Sequence, residues 1–319
     1  MIQTTDRSAP EGIDAAIARV TALKRERDAF LLCHNYQAQE VKRVADAIGD
    51  SFQLSARART VPAKWIVFCG VRFMAETAKL LNPSKRVILP ESKAGCDLAD
   101  SIGPEGLRAL KTQHPRARVV MYINSNVEVK ALSDAICTSS NALKVVEAMD
   151  SEEVIFGPDR NLAAHVAKQT SKRVIPWAGS CPIHEVFTLP MLQRARKNVP
   201  DACVIVHPEC PSDVQEEADE VLSTSQMIET VGRMKARRFL IGTEIGLIEQ
   251  LRELHPDREF WPVYEHKSCD EACACPHMKI TGLHSVLRAL DTGKEAITIP
   301  EAHRAGALRA VERMLEIGK

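Results

Sequence analysis

Three stretches of the chain carry the same polar frame. The first position holds His34, Tyr122 and His207, which lie 88 and then 85 residues apart. Two residues on stand Tyr36, Asn124 and Glu209. Twelve on stand Asp46, Asp134 and Asp219, and seventeen on Ser51, Ser139 and Thr224, with no gaps inside any copy. Together the first two positions offer two imidazoles, two phenols and a carboxylate, a set able to carry general acid–base steps. The hydroxyls at the last position precede helical patterns. They read either as helix N-caps or as three helix starts converging on one anionic ligand, which unpaired N–H groups and the helix dipole would attract. The three aspartates read as structural, capping or bracing the neighbouring unit.

The ten cysteines form a second set. Cys33, Cys69 and Cys203 lie in apolar runs and read as packing residues. Cys96, Cys181 and one of Cys269, Cys273 or Cys275 each follow the last apolar run of a repeat unit. A disulfide would pair two of these three thiols and leave one over. Structural zinc takes four ligands, commonly in local Cys-x-x-Cys pairs. A 4Fe–4S cluster held by three cysteines leaves one iron open, and that iron is a Lewis acid for a hydroxyl or carboxylate. The spacing alone leaves the cluster, zinc and unrelated thiols open.

These residues need elements to hold them. Phe30–Cys33, 118–123 and 202–206 are short apolar runs, read as buried parallel strands, and each ends where a copy of the frame begins. Val41, Ala45 and Ile48, with their counterparts Val129, Ser133, Ile136 and Val214, Ala218, Val221, have the spacing of a helix face. Second strands end at Gly70, Gly157 and Gly242. Helices follow at 72–81, 161–170 and 244–254, then third strands at 86–89, 173–175 and 259–262. Alternating strands and helices predict an α/β protein with parallel sheets. Its three similar three-layer αβα domains would stand around a pseudo-threefold axis, with ligands beyond the strand C-termini. The expected units are 1–113 with 300–319, 114–199 and 200–299.

Composition narrows the class. The formal net charge is zero, so neither nucleic acid nor a membrane surface is an expected partner. No signal peptide is read at the N-terminus and no apolar run approaches the ~18 residues of a membrane span. A cytoplasmic protein with reduced thiols is therefore expected.

The motifs HNYQ at 34–37, GDS at 49–51, FCGVRFMAETAKLLNP at 68–83, AGC at 94–96, TSSNA at 138–142, FGPDRNLA at 156–163, Cys-x-x-His at 181–184, HPEC at 207–210 and CPHMK at 275–279 resemble the quinolinate synthase family of NAD biosynthesis, in order and over nearly the whole chain. The resemblance implies three αβα domains around a central 4Fe–4S cluster. It also implies condensation of iminoaspartate (iminosuccinate) with dihydroxyacetone phosphate to quinolinate, phosphate and water. By matching motif, Cys96, Cys181 and Cys275 are the implied cluster ligands. His34, Ser51, Tyr122, Asn124, Ser139, His207, Glu209 and Thr224 fall on substrate-binding positions, and Tyr36, Glu209 and His207 form the implied catalytic group. Transient contact with the iminoaspartate-producing enzyme is a metabolic expectation with no sequence feature behind it. Cys269-x3-Cys273-x-Cys275 departs from the Cys-x-x-Cys-x-x-Cys run of some members, which leaves Cys269 and Cys273 without an implied role and open to three readings: redox-active neighbours, a disulfide or packing. Away from the resemblance, another iron–sulfur hydro-lyase and a non-catalytic anion- or metal-binding protein are the competing readings.

Overall fold

The computed structural model describes residues 10–264 and 272–318. Its strands form three sheets of four, each with the same order. The first is β2 (Ala47–Gly49), β1 (Ala29–His34), β3 (Trp65–Cys69) and β4 (Arg86–Ile88). The second is β6 (Ala135–Cys137), β5 (Arg118–Tyr122), β7 (Glu153–Gly157) and β8 (Arg173–Pro176). The third is β10 (Glu220–Val221), β9 (Cys203–Val206), β11 (Arg238–Gly242) and β12 (Glu259–Pro262). Every pairing is parallel. The repeat is therefore architectural: αβα units with parallel sheets recur along the chain.

The apolar runs are continuous because both faces of the central strands are covered. In β1 and β3, Leu32, Ile66 and Phe68 enter a core shared with Val120, Ile136 and Phe156 of the second sheet. Leu31, Cys33, Val67 and Cys69 face the other way. They pack with Val20 and Leu23 of the helix Pro10–Arg27 and with Val286 and Leu290 of the helix Leu283–Thr292. Cys33 and Cys69 are thus packing residues, and burial pushes the Cys33 thiol up to about 12. The third sheet has its own core around Val204, Ile205, Phe239 and Ile241. Cys273 is buried there and is not a free thiol; Cys269 lies outside the described residues. The closing helix Glu301–Ile317 crosses Val127–Ala131 and β6 of the second sheet and also touches Arg72–Leu81. Gly306 permits the approach, since a Cβ there would stand 2.5 Å from the Ala131 carbonyl oxygen.

One expectation fails in all three units. Positions 41–48 and their counterparts do not form one helix. The helix stops after Gln39–Lys42, Val127–Ala131 or Ser212–Glu217, and the chain re-enters the sheet as the edge strand β2, β6 or β10. The aspartates cause this. The Asp46, Asp134 and Asp219 amides donate to the carbonyls of Leu31, Val119 and Val204 at 2.9, 2.9 and 3.0 Å. Their carboxylates accept from the amides of those same residues at 2.8, 2.7 and 2.7 Å. A basic residue, Lys24, Arg118 or Arg196, pairs with each carboxylate. The aspartates therefore brace their own unit, not the neighbouring one. Ile48, placed by its spacing on a buried helix face, is instead an exposed edge residue.

Candidate functional site

The strand order fixes where a site forms. From β1 the chain crosses to β2 on one side, and from β3 to β4 on the other, so the two connections part above the β1/β3 boundary. The β5/β7 and β9/β11 boundaries repeat this. Such switch points open a crevice beyond the strand C-termini. Here the three crevices contribute to one cavity of about 240 Å³. His34, Tyr36, Ser51, Cys96, Tyr122, Asn124, Ser139, Cys181, His207, Glu209, Thr224 and Cys275 all line it. The frame residues singled out for binding and catalysis are thus brought to one place with Cys96, Cys181 and Cys275, while Cys273, an alternative third thiol, lies in the core of the third sheet.

The hydroxyls do not cap their helices. Asp50 caps Ser51–Thr60 and Ser223 caps Thr224–Arg233, each in a reciprocal capping box with Gln53 or Gln226, while Asn141 stands at the N-cap of Ala142–Glu147. Capping by the preceding residue leaves the Ser51 and Thr224 hydroxyls available at the first helical position, on the cavity wall. Thr224 Oγ1 accepts from the buried Asn35 Nδ2 at 3.0 Å, which ties the first strand-end turn to the third unit.

A hydrogen-bonded chain runs along one side of the cavity. Tyr122 Oη donates to Glu209 Oε1 at 2.5 Å, and His184 Nδ1 lies 2.9 Å from Glu209 Oε2. His184 Nε2 lies 3.0 Å from Thr243 Oγ1, which lies 2.7 Å from Tyr36 Oη. Burial pushes the Glu209 carboxyl up. His184, as charge neighbour and hydrogen-bond donor, outweighs it together with His207 and Tyr122 and holds the carboxyl well below the usual carboxylate range. An anionic Glu209 only accepts, so Nδ1 of His184 carries a proton in either charge state, and in the neutral ring Nε2 accepts from Thr243. The Thr243 oxygen then accepts from Tyr36. Burial, followed by the Glu209 charge, raises both Tyr36 and Tyr122 well above the usual phenol range, which keeps their protons in place.

His34 and His207 face the cavity as neutral donors. His34 Nδ1 accepts from the Tyr36 amide at 3.2 Å, and His207 Nδ1 accepts from the Glu209 amide at 3.3 Å. Each ring is left with Nε2–H to donate. Burial, first among the causes, lowers both to about 3. Among the described residues, no Lys or Arg lines the cavity. An anion there would meet imidazole N–H groups, hydroxyls and the starts of the ten-residue helices Ser51–Thr60 and Thr224–Arg233. Among the described residues, the buried Asn124 Oδ1 has no hydrogen-bond partner.

The cysteine loops repeat as well. Cys96, Cys181 and Cys275 each precede a single helical turn, Asp97–Asp100, Pro182–Glu185 or Pro276–Lys279. Two residues before each cysteine, the carbonyl of Ala94, Gly179 or Cys273 accepts from the first amide of the long helix after the central strand: Arg72, Arg160 or Ile245, at 2.8, 2.8 and 3.1 Å. In the second and third units a buried carboxylate adds to this, Asp159 accepting from the Cys181 amide at 3.2 Å and Glu244 from the Cys275 amide at 3.1 Å. Burial raises all three thiols, Cys275 to about 11. Among the described residues, Cys181, His184 and Glu209 bring donor atoms within 4.8 Å of one another, a set consistent with metal binding. His184 Nδ1 also lies 3.3 Å from Cys181 Sγ.

His184, Thr243, Glu244, Asp159 and Asn35 were not among the residues picked from the sequence. His184 had a signal, since Cys-x-x-His on one helical turn sets the ring beside its own cysteine. Thr243-Glu244 directly after the strand-end Gly242 was another. Nothing in the sequence pairs Asn35 with Thr224.

Comparison with known proteins agrees with this geometry. A family model described as quinolinate synthetase A protein matches residues 18–316. A quinolinate synthase of Thermodesulfovibrio yellowstonii is 45% identical over 306 residues, covering 96% of this chain and 99% of the relative. One of Dehalococcoides mccartyi is 46% identical over 299 residues, covering 94% and 97%, and one of Thermotoga maritima is 44% identical over 303 residues, covering 94% and 99%. Among the described residues, no helix is long and apolar enough to cross a membrane.

Proposed function

The chain belongs to the quinolinate synthase family, and from that membership we propose that it condenses iminoaspartate with dihydroxyacetone phosphate to give quinolinate, phosphate and water. The observation that carries the reading is the single cavity at which the strand ends of all three sheets meet, lined by acid–base groups, anion-binding groups and three thiols. In this reading the three units stand around a pseudo-threefold axis and that cavity is their centre.

Cys96, Cys181 and Cys275 fit a 4Fe–4S cluster. Three thiols, one from each unit, are soft donors suited to iron–sulfur chemistry. Each sits on a loop anchored to a helix start by a repeated hydrogen bond. Bound there, the cluster would supply a Lewis acid through an iron without a protein ligand and so assist departure of a hydroxyl. The protons that burial holds on these thiols would be released on binding.

The chain's own groups account for the rest. Both substrates are anionic: iminoaspartate carries two carboxylates and the triose a phosphate. His34 and His207 donate Nε2–H, and the helix starts at Ser51 and Thr224 donate backbone N–H and hydroxyl hydrogens. A cavity with no Lys or Arg among its described lining residues thereby binds anions through dipoles. Glu209, held anionic, is the base for a proton alpha to a carbonyl or imine, with Tyr122 releasing Oε1 when the carboxylate takes up that proton. Tyr36, at the far end of the chain through Thr243 and His184, is placed to take up a substrate proton at Oη while its own hydrogen passes to Thr243, the Thr243 hydrogen to His184 Nε2 and the Nδ1 hydrogen to Glu209. The transferable hydrogens lie on Tyr36 Oη, Thr243 Oγ1 and His184 Nδ1.

Anaerobic purification with iron and sulfide analysis, followed by incubation with iminoaspartate and dihydroxyacetone phosphate, tests the proposal. About four irons per chain and formation of quinolinate are expected. A colourless zinc protein, or an iron protein inert toward this pair, would overturn it.

A further inference from the structure

The eighth residue after the start of the repeated frame is Lys42, Lys130 and Gln215 in the three units. Two of them make the same pair of bonds. Lys130 Nζ donates to the carbonyl of Ile123 at 2.9 Å and to that of Ser125. Gln215 Nε2 donates to the carbonyls of Pro208 at 2.9 Å and Cys210 at 2.7 Å. In frame terms both bind the first and third carbonyls after the opening residue. The peptides of those carbonyls bracket Asn124 and Ser125 in one unit, and Glu209 and Cys210 in the other. Fixing the peptides at both ends of such a two-residue span restricts the backbone between them, and so the direction of the side chain it carries. We infer that Lys130 and Gln215 are positioning residues, each clamping its strand-end turn so that Asn124 and Glu209 are held toward the cavity and the Tyr122–Glu209 bond is preset. The inference rests on the proposed function for what those two residues do; the clamp itself rests on the bonds.

The chemistry explains an otherwise odd exchange of an ammonium for an amide. The task needs one nitrogen with at least two hydrogens at the end of a flexible stem, and Lys and Gln both supply it. Lys130 is fully buried, with its ammonium 5.3 Å above the Phe73 ring and Glu76 as its main opposite charge. Burying an ammonium is costly unless its hydrogens are used. The first unit marks the contrast. Lys42 turns away from its own turn and donates to Gly246 O at 2.9 Å and Gln250 Oε1 at 3.1 Å in the third unit. The Tyr36 turn is held instead by Lys279, whose Nζ donates to the Tyr36 carbonyl at 2.7 Å. Each of the three turns is thus held at a backbone carbonyl by a side-chain nitrogen.

The third unit's glutamine supplies the test of the second unit's lysine, and the reverse. Lys130→Gln, Lys130→Met, Gln215→Lys and Gln215→Met are compared in the cluster-loaded protein by amide hydrogen exchange and by steady-state kinetics. Each methionine variant should speed exchange in its own turn only, 122–126 or 207–211. Each should also lower kcat about tenfold or more, with KM within about threefold, as expected when a group acting in the transition state is misplaced. The swaps Lys130→Gln and Gln215→Lys should stay within about threefold of wild type in both measurements, because a two-hydrogen nitrogen is retained. If Lys130→Gln were as impaired as Lys130→Met, the charge and not the clamp would matter and the inference would fall. It would fall equally if the methionine variants exchanged like wild type, or exchanged faster at undiminished kcat. The Gln215 pair decides the matter should Lys130→Met fail to fold. The exchange pattern with no quinolinate formed by wild type would overturn the proposed function and uphold the clamp.

Discussion

Replacing Glu209 by Gln changes almost no volume and removes one charge, yet it should reverse a whole chain of hydrogen bonds. The native carboxylate accepts from Tyr122 Oη at 2.5 Å and from His184 Nδ1 at 2.9 Å. A glutamine has one acceptor oxygen and an amino group that only donates. If the oxygen keeps Tyr122, the amide nitrogen faces His184, whose Nδ1 must then accept. The imidazole proton moves to Nε2, which donates to Thr243, and the Thr243–Tyr36 contact reverses in turn. Two bonds to a charged group, each ~1.5–3 kcal/mol, become neutral ones worth ~0.5–1.5 kcal/mol. The difference is about 2–3 kcal/mol, or about 30- to 150-fold in rate if the charge acts mainly in the transition state. Loss of the base itself adds a factor of about 10²–10⁴. We expect kcat for quinolinate formation to fall by at least about a hundredfold, with substrate affinity changed only a few-fold. Selective ¹⁵N labelling of histidine should show the His184 proton on Nδ1 in wild type and on Nε2 in the variant. Near-normal turnover would remove Glu209 from the acid–base role. An unmoved His184 proton would refute the chain even if turnover fell.

Cys275→Ser should lose both the iron absorbance and turnover; a full iron complement in that variant would refute its assignment as a ligand. Asp134→Ala removes the 2.7 Å bond to the Val119 amide and the pair with Arg118, and should cost ~1.5–3 kcal/mol in urea unfolding. Asp46→Ala and Asp219→Ala should behave alike, and costs under ~0.5 kcal/mol, the range of ordinary surface substitutions, would dismiss the brace. Stability should fall on acidification below neutrality. Burial holds His34 and His207 near 3, whereas an unfolded histidine titrates at ~6.5, so below that pH the unfolded chain binds protons the folded chain does not. Their contribution is complete above ~6.5 and is lost as pH falls toward about 3, with a slope of up to ~1.4 kcal/mol per pH unit for each ring. His207→Asn should flatten the urea midpoint between pH 4 and 6, and an unchanged slope would mean the ring is not buried neutral.

What the sequence made legible follows from how each feature is encoded. The central strands were readable because both faces are buried, so Phe30–Cys33 and 65–69 are unbroken apolar runs. The edge strands β2, β6 and β10 were not. They are two or three residues long, too short for any periodicity, and they follow apolar residues whose spacing imitates a helix. What places them is a side chain, the repeated aspartate, whose carboxylate reaches back to the central strand's backbone. The lining of the cavity was readable for a related reason. A repeat forces equivalent positions to equivalent strand ends, so polar residues recurring there converge even though they are far apart in sequence. The connections among them were not readable. His184 meets Glu209, and Thr243 meets Tyr36, only because different units come together, and a pattern within one unit does not encode its neighbour.

Asymmetry in this site is concentrated at the second residue after each opening position. The scaffold around that position repeats: the aspartate brace, the loop anchored two residues before each cysteine, and the carbonyls held by a side-chain nitrogen. The side chains there do not repeat. Tyr36 bonds Thr243, Glu209 bonds both Tyr122 and His184, and Asn124 Oδ1 is buried with no partner among the described residues. Two of the three are thus linked by one chain of hydrogen bonds and suited to moving protons. The third keeps a free acceptor on the cavity wall and is suited to receiving a hydrogen from a ligand. A threefold frame would by itself bind three equivalent groups. In the proposed function, unequal side chains on equal backbones would let it distinguish the end of a substrate that loses a proton from the end that is only held.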